Sequence, residues 1–202
     1  FLDELPEFDR KVLEVLREPL ETGRITISRA YQQTEFPARF QLIAAMNPCP
    51  CGYWGDPSGR CHCTHEQISR YRQKISGPLL DRIDIHLEVP RLSIAITQTE
   101  SDACESSAII RERVTQARFL ALNRQGKTNA ELNPREISLF CNLDLASQQL
   151  LEQAQQKLGL SHRGFHRILK VARSIADLSA CPHIKLTHLS EAIGYRQLDR
   201  LR

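Results

Sequence analysis

Residues 40–52 read Phe40-Gln41-Leu42-Ile43-Ala44-Ala45-Met46-Asn47-Pro48-Cys49-Pro50-Cys51-Gly52. The first seven form a nearly unbroken apolar run, bounded by Pro37 on one side and Asn47-Pro48 on the other. Such a run predicts a strand buried on both faces. Open α/β sheets bind their ligands outside the carboxyl ends of the strands, so a short polar side chain at that end is placed to reach one. Asn47 is therefore a candidate site residue. The competing reading is a plain turn, which Asn-Pro also favours.

Upstream, Ile25 and Ile27 alternate with Arg24, Thr26 and Ser28, and a polar turn around 31–33 returns the chain through 34–36. This predicts a β-hairpin flanked by the basic residues Arg24 and Arg29. Before it, Pro6 opens a predicted helix whose apolar face is Phe8, Val12, Val15, Leu16 and Leu20, with Gly23 as its stop. The chain starts Phe1-Leu2-Asp3-Glu4-Leu5, which reads as the end of an apolar strand running into two carboxylates, so the numbering is expected to begin inside an element. In such a pair one carboxylate can hold Mg²⁺ while its neighbour orients or deprotonates a water. An Asp-Glu pair at a solvated helix start is the blander reading, since acids favour the positive dipole end.

Downstream lie Cys49-Pro50-Cys51 and Cys61-His62-Cys63, a C-x-C-x₉-C-x-C spacing with Gly52, Gly55 and Gly59 available for tight turns. Four thiolates on one compact loop can make a tetrahedral zinc site, structural rather than catalytic because four protein ligands leave no open position. His62 or His65 could replace one thiolate, and four reduced thiols on an irregular loop is the alternative. Tyr53 and Trp54 either cap this loop by packing or meet a nucleic-acid strand. Next, Ser76-Gly77-Pro78 leads into Leu79-Leu80-Asp81-Arg82-Ile83-Asp84, and 83–89 reads as a strand ended by Pro90. Arg82 either projects from the domain's edge toward a neighbour's phosphate or makes a salt bridge with the flanking acids.

Residues 93–107 change to Ser, Thr, Gln and acids, which places a linker there. Beyond it the pattern is helical at about 108–123, 134–140, 144–158, 161–179 and 187–193, punctuated by Gly126, Pro134, Gly159 and Pro182. In the fourth of these, Arg163, Arg167 and Lys170 fall on one face opposite Phe165, Ile168, Leu169, Ala172, Ile175 and Ala176, predicting an exposed basic stripe. Cys104, Cys141 and Cys181 have no paired spacing and read as inert thiols.

The 202 residues carry 27 Lys and Arg against 24 Asp and Glu, a net charge of +3, so any nucleic-acid surface must be local. No run of about 18 apolar residues and no signal-peptide pattern occurs, and a cytoplasmic protein without a membrane partner is expected. Seven cysteines, four of them in two Cys-x-Cys pairs, suit a metal site better than a disulfide framework.

Taken together, the acid pair after an apolar strand, the strand ending in Asn47 and the Leu79–Asp84 stretch resemble the Walker B, sensor 1 and arginine-finger elements of AAA+ ATPases. Asn47-Pro48-Cys49-Pro50-Cys51-Gly52 with 75–84 is similar to the magnesium-chelatase-like group, in its competence-protein branch, and the group is itself similar to the MCM helicases. The resemblance covers most of the chain. It implies an α/β plus all-α fold: the carboxyl-terminal half of an AAA+ P-loop core at 1–92, the linker at 93–107, and a helical lid at 108–202. It implies that Asp3 coordinates Mg²⁺, Glu4 activates water, Asn47 is sensor 1 and Arg82 is the finger offered to the next subunit's ATP. Ser161-His162-Arg163-Gly164-Phe165 resembles the start of the sensor 2 helix, with Arg163 reaching the γ-phosphate and Arg167 as the alternate.

By the same resemblance the cofactors are ATP and Mg²⁺, and the partners are further copies in a ring, usually a hexamer, and branched or single-stranded DNA. Arg24 and Arg29 would contact that DNA from a pore-facing hairpin. A Gly-x-x-x-x-Gly-Lys-[Ser/Thr] loop does not occur in the sequence. The chain is therefore expected to be a carboxyl-terminal piece that binds ATP poorly and does not turn over alone. The implied activity is ATP-driven branch migration or unwinding in recombination during DNA uptake. Two alternatives are a chelatase-type ATPase driving Mg²⁺ insertion into a porphyrin and a non-enzymatic zinc and DNA-binding module.

Overall fold

The computed structural model describes residues 1–29, 32–90 and 105–196. The chain divides into two compact units, Phe1–Ile83 and Asp84–Arg202. Most of the expected linker, 93–104, lies outside the described residues, as does Cys104.

The first unit is organised by a parallel contact between its start and the apolar run. Leu2 N–H donates to the Ile43 carbonyl at 2.9 Å, Ala45 N–H to Leu2 at 2.8 Å, and Leu5 N–H to Ala45 at 2.9 Å. These bonds form one parallel bridge, Leu2 with Ala44. The expected strand buried on both faces is thus corrected: 40–46 pairs along one edge only, and Phe40 and Ile43 are 47% and 55% exposed. Side chains alternate across an extended segment, so Ala44 and Met46 face the core of Leu5, Leu13, Ile75 and Leu79 while Ile43 faces away.

A 3₁₀ turn at Leu5–Glu7 leads to α1 (Arg10–Val15) and α2 (Arg17–Thr22). The single expected helix is split because Pro19 lacks the N–H that would bond the Val15 carbonyl. The split also corrects the expected apolar face. Leu13 is buried, with Leu16 and Leu20 packed against the same core, while Val12 and Val15 are 56% and 59% exposed. Gly23 ends α2 in the left-handed conformation (φ 69°), its N–H donating to Pro19 at 2.9 Å. The expected hairpin follows as β1 (Arg24–Arg29) and β2 (Gln32–Pro37), antiparallel from Arg24 opposite Pro37 to Arg29 opposite Gln32. Strand β2 is exposed throughout.

Thr64 and Gln67 form a reciprocal capping box at the start of α3 (His65–Arg72), which buries Ile68 and Tyr71. Ser76 caps the short α4 (Gly77–Leu80). The expected strand at 83–89 is not formed. Its described residues lack a ladder, and His86 N–H instead donates to the Tyr195 carbonyl at 2.7 Å in the second unit.

That second unit is helical, as its periodicity predicts: α5 (Ser107–Gln125), α6 (Pro134–Phe140), α7 (Leu145–Leu158), α8 (His162–Leu178) and α9 (Leu186–Gly194). Helix α8 is central, burying Ile168, Leu169, Ala172, Ile175 and Ala176 against Ile137, Leu151, Leu189 and Ile193. The same helix buries Arg173 and Asp177. The Asp177 carboxylate accepts from Arg124 of α5 at 2.6 and 2.9 Å, from Asn129 at 2.8 Å and from Arg173 at 3.0 Å. Burial pushes the Asp177 carboxyl up, but these hydrogen bonds and the Arg charges outweigh it and hold it below the usual carboxylate range. No helix among the described residues is long and apolar enough to cross a membrane.

Candidate nucleotide-facing site and cysteine cluster

The parallel bridge brings the first two sequence-predicted features side by side. Asp3 and Glu4 follow directly on Leu2, Asn47 follows three residues after Ala44, and all three side chains are exposed at the carboxyl ends of the paired segments. The Asp3 carboxylate accepts from the Glu4 N–H at 2.9 Å. Glu4 holds φ 51°, ψ 46°, a left-handed conformation that costs a non-glycine residue roughly 1–2 kcal/mol. The backbone thus turns sharply at Glu4, directly after Asp3. Backbone strain of this kind clusters at functional sites.

Arg82 is placed differently from the expectation of a side chain projecting from the edge. Its guanidinium is 8% exposed, with Nε donating to the Arg17 carbonyl at 3.0 Å, Nη1 to the Pro78 carbonyl at 2.5 Å and Nη2 to Glu21 at 2.5 Å. Its carboxylate partner Glu21 is 61 residues away in the chain. A planar fork with donors on several edges is suited to bridging two carbonyls and a carboxylate at once.

On α8 the expected exposed basic stripe holds at Arg163 but not at Arg167 and Lys170. Ser161 caps α8 by accepting from Gly164 N–H at 3.1 Å, which sets Arg163, exposed, in the first turn. Arg167 is half-buried and pairs with Asp84 at 2.5 Å, while the Lys170 ammonium donates to the Ala130 carbonyl at 2.8 Å. Burial, then the nearby Arg167 charge, push the Lys170 pKa down. A polar face that packs against neighbouring backbone explains the difference. On the hairpin, Arg24 pairs with Glu35 at 2.9 Å, and the side chain of Arg29 lies outside the described residues.

Cys49, Cys51, Cys61 and Cys63 do converge, with all four sulfurs within 4.8 Å of one another. Separations of 3.3 Å (Cys49–Cys51), 3.6 Å (Cys51–Cys61) and 3.8 Å (Cys49–Cys61) approach the roughly 3.8 Å edge of a tetrahedron with 2.3 Å zinc–sulfur arms. The donor set is all thiol, and His62 and His65 are outside the group. A backbone hydrogen bond with Tyr53 and then a hydrogen bond with Cys49 pull the Cys51 thiol down to about 6. Cys63 is pushed up to about 12: its backbone hydrogen bond with Cys51 lowers it, but the Cys51 side chain and burial outweigh that. Proximity to Cys51 thus raises the Cys61 and Cys63 thiols.

Several contacts around this cluster carry no sequence signature. The Arg72 guanidinium lies 4.6 Å from the Trp54 ring centroid while its Nε donates to the Pro48 carbonyl at 3.2 Å, and Arg60 lies 4.6 Å from the Tyr53 ring. Both aromatics thus pack on arginines of the loop or of α3. Tyr71 is 6% exposed. Burial raises its pKa above the usual phenol value against the lowering influence of the Asn47 backbone, with the Glu7 and Glu4 charges adding to the rise. Cys141, buried in the second unit, has its thiol pushed up to about 11 by burial, an inert group as expected.

Two parallel segment ends carrying an acid pair and an asparagine, followed by a helical unit, match the arrangement that the resemblance to an AAA+ core joined to a helical domain implies. Family models resolve the class further: magnesium chelatase, subunit ChlI, matches residues 1–97, and the ChlI C-terminal model matches 104–196. The chain belongs to this magnesium-chelatase-like family. It is 51% identical over 201 residues to "Competence protein ComM" of Haemophilus influenzae, covering 100% of this chain and 39% of that protein. It is 47% identical over 201 residues to "Uncharacterized protein YifB" of Escherichia coli (100% and 39%), and 37% over 206 residues to "Uncharacterized protein Rv2897c" of Mycobacterium tuberculosis (100% and 40%). The chain spans about two fifths of the length of these relatives.

Proposed function

We propose that this chain is part of an ATP-hydrolysing ring motor of the cytoplasm that acts on DNA, remodelling branched or single-stranded intermediates during recombination and natural transformation. The observation that carries the reading is the parallel bridge, which sets the Asp3-Glu4 pair and Asn47 at adjacent segment ends. In this reading Asp3 holds Mg²⁺ of the bound nucleotide, and the Glu4 carboxylate takes a proton from the attacking water. Asn47 orients that water or the γ-phosphate by hydrogen bonding. When bound, ATP with Mg²⁺ supplies the phosphoryl group and its charge, and catalysis is then mostly positioning and electrostatic stabilisation. Arg163 of the helical unit, with Arg167 as alternate, meets the γ-phosphate charge. Arg82 serves the neighbouring subunit's nucleotide in a ring, usually a hexamer, after exchanging Glu21 for phosphate. Arg24 and Arg29 of the hairpin contact DNA phosphates.

The four-cysteine cluster holds a structural Zn²⁺ in this reading, a feature with no evident use in chelation of Mg²⁺ for a porphyrin. The DNA role also draws on the name of the ComM relative, which refers to competence. ATP hydrolysis by the full-length protein, with and without branched DNA, tests the proposal against Glu4→Gln, Asn47→Ala and Arg24→Glu/Arg29→Glu. Stimulation by DNA that the hairpin pair loses and Glu4→Gln abolishes supports the motor. Turnover indifferent to DNA but raised by a porphyrin-binding partner points to the chelatase reading. Zinc and DNA binding without any turnover leaves a binding module.

A further inference from the structure

We propose that metal closure of the Cys49–Cys63 loop positions the Asn47 carboxamide, which makes the four-cysteine site a positioning device for hydrolysis and not only a surface staple. The inference rests on the ATPase reading above.

The loop joins two things the site needs held together. Its amino end is Asn47-Pro48-Cys49, and its carboxyl end, Cys63-Thr64, is the cap of α3. A cation gathering the four sulfurs therefore ties the start of α3 to the residue that follows Asn47 by two. Helix α3 then returns to the same point from its other end. Arg72 Nε donates to the Pro48 carbonyl at 3.2 Å while its guanidinium covers Trp54, and the neighbouring Tyr71 is buried. Pro48, directly after Asn47, is gripped from the loop on one side and from the last turn of α3 on the other.

The close approach is made by Gly52. It sits at φ 80°, its N–H donates to the Cys49 carbonyl at 3.0 Å, and a Cβ placed on it would lie 3.9 Å from both Asn47 Cγ and Oδ1. The turn that presents Cys49 and Cys51 thus runs beside the Asn47 side chain, within reach of a methyl group placed on Gly52. Cys49 itself is fully buried. Among the described residues the segment before Asn47 pairs at the single bridge of Leu2 with Ala44. The orientation of Asn47 depends on the turn and on α3, and both depend on the sulfurs staying together.

The full-length protein is purified with Zn²⁺, then stripped with a zinc-selective chelator under reducing conditions, desalted and returned to Mg²⁺. A Cys61→Ser/Cys63→Ser variant serves as the second zinc-free form, and metal content is read by elemental analysis. Steady-state ATPase gives kcat and KM, and amide exchange is followed over 47–52 and 65–72. The expected result is one Zn²⁺ per chain. Its removal should lower kcat by about 10- to 100-fold, the cost of a misplaced catalytic group, with KM for ATP changed less than about twofold. Exchange should rise in both segments, and Zn²⁺ should restore the stripped wild type but not the serine pair. Asn47→Ala should abolish the zinc dependence of kcat, since the two losses share one route.

Full kcat in a protein shown to be zinc-free overturns the inference while leaving the ATPase reading intact, and so does a change confined to KM. Absence of bound Zn²⁺ in the purified, reduced protein overturns it as well. If the zinc-loaded protein hydrolyses no ATP under any DNA condition, the ATPase reading falls and takes the inference with it.

Discussion

Replacing Arg82 with alanine should destabilise the first unit, whatever else it does to turnover. The guanidinium is 8% exposed and bridges α2 to α4 through the carbonyls of Arg17 and Pro78 and the Glu21 carboxylate. Hydrogen bonds to charged groups contribute about 1.5–3 kcal/mol each, and breaking a fully buried ion pair costs about 3–5 kcal/mol. Glu21 retains 31% exposure and can be rehydrated, which lowers the second figure. The expected loss is therefore about 2–3 kcal/mol, not the sum of three bonds. Arg82→Lys should recover less than half, because one ammonium cannot reach three acceptors on separate edges of a fork. The assay is urea unfolding of the full-length protein read by amide exchange over 10–22 and 76–83, which isolates this unit from the rest. A loss below about 1 kcal/mol for Arg82→Ala would refute the reasoning, since the buried contacts could not then be carrying the packing of α2 on α4. The same figure bounds function. To serve a neighbour's phosphate Arg82 must leave these partners, and the charge it meets there has to return about 2–3 kcal/mol before it adds anything to the rate. Activity lost in Arg82→Ala with stability intact, as judged by exchange, would separate the two roles.

Asp177→Ala should cost the helical unit about 3–5 kcal/mol, because Arg173 is left buried without its counter-charge; intact stability in a thermal melt would sink that assignment. Gly23→Ala should cost about 1–2 kcal/mol: φ 69° disfavours a Cβ, which would also lie 2.9 Å from Arg39 Cγ, and an unchanged urea midpoint would contradict it. His188 accepts from the Lys185 N–H at 3.2 Å, and burial, then the Lys185 charge, lower its pKa. The unfolded chain therefore binds the extra proton first, so stability of the helical unit is full above about pH 6.5 and falls as pH drops below it toward the depressed value. His188→Gln should flatten that slope in part, with His166, lowered chiefly by burial, supplying the remainder; an identical slope in the variant would show that His188 does not titrate as stated.

The helical unit was the most legible part of the sequence, since α8 follows the 3.6-residue period and helices end at residues such as Gly126 and Gly159, both left-handed caps. The hairpin was legible for the same reason: alternation and a polar turn are local signals. The apolar run at 40–46 signalled an extended segment, and its parallel partner at Leu2 was not legible because pairing joins residues distant in sequence. Arg82 shows a second kind of gap. Its near acids in sequence suggested a local salt bridge, yet its partner is 61 residues distant, and no local pattern encodes such a pairing.

The sequence by itself marked the candidate residues: the acid pair, the asparagine after an apolar run, the four cysteines and the arginines, all visible as residue types at short spacing. Only the tertiary structure decided how they are held. It set Asp3 and Glu4 beside Asn47 through three backbone hydrogen bonds, gathered sulfurs from two ends of a loop, and buried Arg82 against Glu21. The physical reason is that residue type and period are local properties of the chain. Which backbone edge meets which, and which charge finds a counter-charge, are settled by long-range packing, where satisfying buried polar groups outweighs the preferences of any short segment.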